Sequence, residues 1–283
     1  MGEFRSNIWR HAVAWVLIIF TALPIYVVIA TSFDPSGGLA TSTLFPTRFS
    51  LDNYSMLFEN SEELPFWSWI KNSVIISGAS AFFSVLIGAG SAFAFSRLRF
   101  RGRKIGMQAL LLVQVFPSIL ALSALYVLVQ TLSDVFEPLA TYPLLALFLL
   151  YLGGAMGINA WLLKGFLDTI PMELDESARV DGASISQVYW LIFLPLAAPV
   201  LAVVALLSFI GTFNEFVLAS LFLQDPDSLT VAVGLQRFIA GQRGQDWGPF
   251  AAGSIIASVP LVVLFMSLQK YIVGGLTAGS VKG

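Results

Sequence analysis

Six stretches of this 283-residue chain run almost without charge, near 12–31, 73–96, 107–130, 142–163, 191–222 and 250–269. A helix needs about 20 predominantly apolar residues to cross the hydrocarbon of a bilayer, and each run reaches that length. No water is present there to satisfy backbone N–H and C=O groups. Each unpaired group costs several kcal/mol, so only helices or closed barrels can span. Barrel strands read as alternating segments of about ten residues; these runs are longer and do not alternate. The expectation is an all-α polytopic membrane protein, one domain over 1–283 with six transmembrane helices. Composition agrees, with 11% charged residues against about a quarter in soluble chains. The first run follows basic residues as a signal peptide would, but no small-residue cleavage site follows it, so it is read as a retained span. The fifth run is overlong, and Pro195 and Pro199 near its start predict a bend or a part outside the lipid.

Lys and Arg set the orientation. If the connections alternate sides, one side collects Arg5, Arg10, Arg97, Arg99, Arg101, Arg103, Lys104, Lys164, Arg179, Lys270 and Lys282. The other keeps only Arg48, Lys71, Arg237 and Arg243. Both termini are therefore placed in the cytoplasm. Three connections are long: outer 32–72, cytoplasmic 164–190 and outer 223–249. None is large enough for a catalytic domain, and no internal repeat supports an inverted-repeat secondary transporter. In the second run small residues recur as Ser80, Ser84, Gly88, Ala92 and Ser96, a stripe that lets helix backbones approach closely.

The ionisable inventory excludes much chemistry. His11 is the lone histidine, at a membrane boundary, and Cys is absent, so no metal site and no nucleophile–base pair is expected. No G-x-x-x-x-G-K-[ST] phosphate loop occurs, so ATP would have to be used by another chain. A secondary transporter or channel would carry polar charge in several spans, whereas Glu215, after Asn214, stands alone. An intramembrane acid is a functional candidate. Counting at about 1.5 Å per residue from Pro195 puts it near the outer boundary, which leaves open a structural carboxylate at a cavity edge and a gate or sugar contact.

The cytoplasmic segment 168–183 is the most informative connection. Pro171 suits a first helical turn and Glu173, Asp175 and Glu176 suit the positive end of the helix dipole. Gly182 suits the C-terminal cap. A helix of roughly three turns over 171–182 is expected, followed by the capping box Ser184-Ile-Ser-Gln187 that opens the helix into the fifth span. A helix resting on lipid would want a wide apolar face edged with Lys or Arg; this one is acidic.

Here the residues carry a resemblance. Glu176-Ser177-Ala178, then Gly182, then Ile192-Phe-Leu-Pro195 resembles the signature of binding-protein-dependent ABC importer permeases, with Ser177 where that family usually has Ala. Asn72-Ser73, Ala92-Phe-Ala-Phe-Ser-Arg97, Phe116-Pro117, Tyr151-Leu-Gly-Gly154 and the tail 275–283 are similar to the smaller permeases of maltose/maltodextrin importers. The resemblance implies a type I importer permease fold in a bacterial or archaeal cytoplasmic membrane. It implies a second permease forming a heterodimer, an ATPase dimer holding ATP and Mg, an extracytoplasmic sugar-binding protein, and no nucleic acid. It assigns ATPase coupling to Glu173, Glu176, Ser177, Ala178, Asp181, Gly182, Ala183 and Pro195. ATPase contact through the tail falls to Gly279, Ser280, Val281, Lys282 and Gly283. Binding-protein contact falls to Gln236, Arg237, Gln242, Gly244, Asp246 and Trp247, and Asn214 and Glu215 are cavity candidates. The implied cargo is maltose, maltodextrin or a related oligosaccharide, with other disaccharides such as trehalose open.

Overall fold

A computed structural model of the chain describes residues 2–35, 48–59, 62, 64–155, 157–240 and 246–278. Among them every regular element is helical. In chain order they are α1 (Gly2–Ser32), α2 (Asp52–Glu59), α3 (Phe66–Arg97), α4 (Arg103–Val115), α5 (Ser118–Val135), α6 (Glu137–Thr141), α7 (Pro143–Ala155), α8 (Ile158–Leu167), α9 (Glu173–Val180) and α10 (Ile185–Gln187). A π-helical stretch (Val188–Phe193) leads into α11 (Leu194–Phe213). After it come α12 (Val217–Phe222), a 3-10 turn (Pro226–Ser228), α13 (Val231–Ala240) and α14 (Trp247–Ala278).

Four segments are long and apolar enough to cross a membrane unbroken: Trp9–Ser32, Phe66–Arg97, Ile185–Phe213 and Trp247–Ile272. Two bent pairs, α4 with α5 and α7 with α8, bring the number among the described residues to as many as six where each pair is one span. Both breaks correct the expected continuous spans. Span 107–130 turns by 101° because Phe116 is extended (ψ 127°) ahead of Pro117, whose ring disfavours helical geometry in the residue before it. Span 142–163 bends by 44° where Gly153, Gly154 and Gly157 weaken the helix and Gly157 leaves helical geometry (ψ −87°). The expected fifth span, 191–222, also shifts. It begins at Ile185 and stops at Phe213, and 217–222 is a separate helix, α12. Near its start Leu194 N–H bonds Tyr189 O five residues back. That widened turn precedes Pro195, which has no N–H to give.

Packing follows the stripe read from the sequence. Ser80, Ser84, Gly88, Ala92 and Ser96 are all buried, and α3 packs chiefly against α11 and α8. A Cβ on Gly88 would sit 3.2 Å from Asn159 Cβ and 3.3 Å from Leu163 Cδ1, so the absent side chain sets how near α8 can come. Two apolar clusters fix the two ends. Leu163, Leu167, Phe93, Val188, Phe193 and Ala197 gather beside α9. Phe66, Trp69, Phe213, Leu229 and Phe238 gather at the opposite end, under α13. There Trp69 is fully buried, with Nε1 donating to Pro226 O at 2.7 Å. Asn72 Nδ2 donates to Asp227 O at 2.8 Å and Leu229 O at 3.0 Å. The long outer connection is thereby pinned to the start of α3.

Candidate functional site

α9 is eight residues long, shorter than the three turns expected, because Pro171 and Met172 precede the helix rather than opening it. Its C-terminus closes as a Schellman motif. Gly182 has φ +87°, Ala183 N–H bonds Ala178 O at 2.9 Å, and Gly182 N–H bonds Arg179 O at 3.1 Å. A residue with a Cβ in this left-handed geometry costs roughly 1–2 kcal/mol. The next helix opens on the expected capping box, Gln187 N–H to Ser184 Oγ at 3.2 Å and Ser184 N–H to Gln187 Oε1 at 2.8 Å. The junction between α9 and α10 is thus held by local geometry that the sequence announces.

Tertiary contacts complete the mount. Arg97 at the end of α3 pairs with Asp175 at 2.5 Å, both side chains largely buried, and donates to Ile170 O at 2.9 Å. One residue earlier, Ser96 Oγ donates to Asp168 Oδ1 at 2.7 Å, while Lys164 pairs with the other Asp168 oxygen. Burial pulls the Asp168 carboxyl upward. The hydrogen bonds from Lys164 and Ser96, with the charges of Lys164 and Arg103, outweigh it and hold the group below its ordinary value. Ala178 and Ala183 pack onto the Phe93–Phe193 cluster. α9 is thus tied to the end of α3 by the Arg97–Asp175 pair and to the Phe93–Phe193 cluster by Ala178.

The outward face of α9 combines charge with apolar surface. Glu173, Glu176, Ser177, Asp181 and Gly182 are exposed, beside Met172, Leu174, Val180 (87% exposed) and Ile185. The sequence reading missed this apolar component, which contiguous exposure alone reveals. Pro195 stands apart from the helix, in the first turn of α11. A cleft lined by Arg97, Phe100, Met172, Glu176 and Arg179 separates α9 from the end of α3.

The other expected site residues divide. Gln236 and Arg237 are exposed on α13, where Arg237 reaches Gln224 O at 3.1 Å. Asp246 N–H bonds Phe238 O at 3.0 Å, and Trp247 meets Phe250 at 5.7 Å. Gln242, Gly244 and the tail Gly279 to Gly283 lie outside the described residues. Asn214 Nδ2 bonds back to Ile210 O at 3.0 Å. Glu215 lies at the break between α11 and α12 with both oxygens occupied. Oε1 accepts from Leu218 N–H at 2.8 Å, and Oε2 accepts from Ala219 N–H at 3.0 Å and Tyr151 OH at 2.7 Å. It caps α12 and ties it to α7. Among the described residues no group of three or more His, Asp or Glu side chains is gathered where a cation could bind.

Residues 82–277 match the family described as binding-protein-dependent transport system inner membrane component. The chain belongs to this family. The permease matches relatives along nearly their whole length. It is 40% identical over 278 residues to the galactooligosaccharides transport system permease protein of Bacillus subtilis, covering 97% of this chain and 96% of that one. It is 37% identical over 292 residues to a maltose/maltodextrin transport system permease protein of Vibrio vulnificus, with coverage of 99% and 98%. The maltodextrin transport system permease protein of Bacillus subtilis is 37% identical over 282 residues, with coverage of 100% and 98%. In fold the permease is similar to a chain of a bacterial ABC transporter that imports alginate, with a TM-score of 0.77 and 18% identity over 95% of this chain and 97% of that one. The fold is that of a type I ABC importer permease.

Proposed function

We propose that this permease is one of two membrane subunits of an ATP-driven importer of maltose, maltodextrin or a related oligosaccharide, coupled to its ATPase through α9. The observation that carries the reading is the mounting of α9. The helix is closed at its C-terminus by Gly182, exposed on an acidic and apolar face and ion-paired to α3 behind. Such a face suits docking to a soluble protein, and such a mount suits transmission of force. The partner ATPase dimer holds ATP and Mg. Its closure moves α9, and α3, α8 and α11 follow to re-expose the sugar path to the other side of the membrane. A binding protein delivers sugar at the opposite end, where Gln236, Arg237, Asp246 and Trp247 lie. The galactooligosaccharide relative supports a second reading of the cargo; competition for uptake among unlabelled malto- and galactooligosaccharides in proteoliposomes separates the two.

The coupling reading is tested at Gly182. Gly182→Leu forces a side chain into φ +87° and costs roughly 1–2 kcal/mol locally, which disorders the helix end without touching a span. The expected outcome is normal membrane insertion with sugar uptake at least tenfold down and ATP hydrolysis no longer stimulated by loaded binding protein. Uptake at the unsubstituted rate would exclude α9 as the coupling element.

A further inference from the structure

The cleft between α9 and the end of α3 is not used by the coupling reading. It encloses about 740 Å³, within the roughly 300–1,000 Å³ of ligand sites. Its lining includes Arg97, which ends the span Phe66–Arg97, and Ile185, which begins the span Ile185–Phe213. The cleft therefore sits where two spans leave the bilayer, on the side that the bias of Lys and Arg assigns to the cytoplasm. Phe93, Phe100 and Val188 give it an apolar wall, and Arg99 and Arg179 line it as well.

The cations at this boundary divide into committed and uncommitted groups. Arg97 pairs with Asp175, Arg103 donates to Ser96 O at 3.0 Å, and Lys164 pairs with Asp168. Arg99, Arg101, Lys104 and Arg179 are exposed, and none of them pairs with a carboxylate among the described residues. Arg48 and Lys71 are also exposed, on the other side of the membrane, but far apart in sequence. Clustering is what distinguishes the cleft. Of the acids in its lining, Asp175 is committed to Arg97 and Glu176 alone is left to oppose the arginines. A second observation points the same way. Arg103 and Lys104 stand in the first turn of α4, where the helix dipole disfavours cations, and no acid in that turn offsets them. An anion from outside the chain would relieve both.

Charge also selects the occupant. A soluble partner basic enough to dock on Glu173, Glu176 and Asp181 would be repelled by Arg99, Arg101, Lys104 and Arg179. The cytoplasmic leaflet carries anionic lipid, which basic pockets between helix ends recognise. We propose that this cleft seats an anionic phospholipid, its phosphate between Arg99 and Arg179 and its first acyl carbons against Phe93, Phe100 and Val188. The lipid would join the connection after α3 to α9 from the membrane side. The proposal goes beyond the importer reading and takes from it only the ATPase on the outward face of α9.

The test uses the whole complex in nanodiscs of phosphatidylcholine with added phosphatidylglycerol. A phosphatidylglycerol carrying a photoactivatable group beside its headgroup should label the peptides that contain Phe100 and Met172. Each cation near an anionic surface contributes roughly fivefold in affinity, so Arg99→Gln with Arg179→Gln should cut this labelling at least about tenfold. Arg99→Lys with Arg179→Lys keeps the charge and should retain most of it. Arg48→Gln with Lys71→Gln should change nothing. Undiminished labelling in the paired Gln variant would overturn the proposal. So would inorganic phosphate that displaces the probe as well as unlabelled phosphatidylglycerol does, which would assign the cleft to a soluble anion. Loss of the ATPase from the paired Gln variant on purification would assign the two arginines to that interface instead. If the unsubstituted complex labels as expected but its ATP hydrolysis ignores loaded binding protein, the importer reading fails and the lipid site stands.

Discussion

Glu215 illustrates how an acidic residue just past the end of an apolar helix becomes tolerable. Its carboxylate satisfies two N–H groups that α12 would otherwise leave orphaned, and Tyr151 supplies the third bond across to α7. Of the two roles the sequence leaves open, the geometry fits a structural carboxylate. Tyr151→Phe should cost about 1 kcal/mol, and Glu215→Ala about 2 kcal/mol because the cap is lost as well. The double variant should cost less than the sum, since the hydroxyl has no partner once the carboxylate is gone. Denaturant unfolding in mixed micelles measures all three. Asp168 predicts a pH effect. Its folded carboxyl is more acidic than the unfolded one, so its contribution is present above the ordinary Asp range and is lost as pH falls through the lowered value. Asp168→Asn should therefore flatten the acid limb of the stability profile, from about pH 4 downward, and leave the neutral limb flat. A variant profile with the same acid slope would show that the Lys164 and Ser96 contacts contribute nothing.

At the scale of elements, the outer connection behaves as a clamp on α3. A Cβ on Gly234 of α13 would fall 2.2 Å from two ring atoms of Trp69. The ring cannot swing aside. It is held by Pro226 O and packed edge-on against Phe66 and Phe238. Gly234→Ala should cost about 1–3 kcal/mol by overpacking and should raise protease sensitivity of the outer connection while α9 stays protected. Equal sensitivity in the variant and the parent would mean that α13 floats free of α3. The contrast with α9 is instructive. α13 is fixed by shape, through a missing side chain and a buried indole. α9 is fixed by caps and an ion pair, which hold an element in place while leaving its face clear for a partner. The caps were legible in the residues themselves, Gly182 and Ser184 to Gln187, because capping is a local matter of four or five positions. The break at Phe116-Pro117 carried a signal that a run of hydropathy conceals, the restriction a proline places on its predecessor.

The whole molecule is a bundle whose two ends are locked by separate apolar clusters, with a hydroxyl-lined cavity between them. The proposed ATPase contact of the tail 279–283 can be tested directly. Deleting Gly279 to Gly283 should weaken retention of the ATPase on detergent purification while leaving the spans inserted, and an unchanged complex would remove the tail from the interface. Lipid explains why so much of this architecture is written in one dimension. Exclusion of charge over about 20 residues marks each candidate crossing, and the bias of Lys and Arg predicts its orientation, so both expectations can be drawn from the order of residues alone. What the folded chain decided is everything that depends on two distant segments meeting. Tyr151 and Glu215 are 64 positions apart, and Arg97 and Asp175 are 78 apart. Ser84, Asn159 and Ser208 share a cavity although each sits on a different span. Hydropathy records whether a side chain can enter lipid, but which neighbour it meets there is set by how closely the small-residue stripe lets the helices approach.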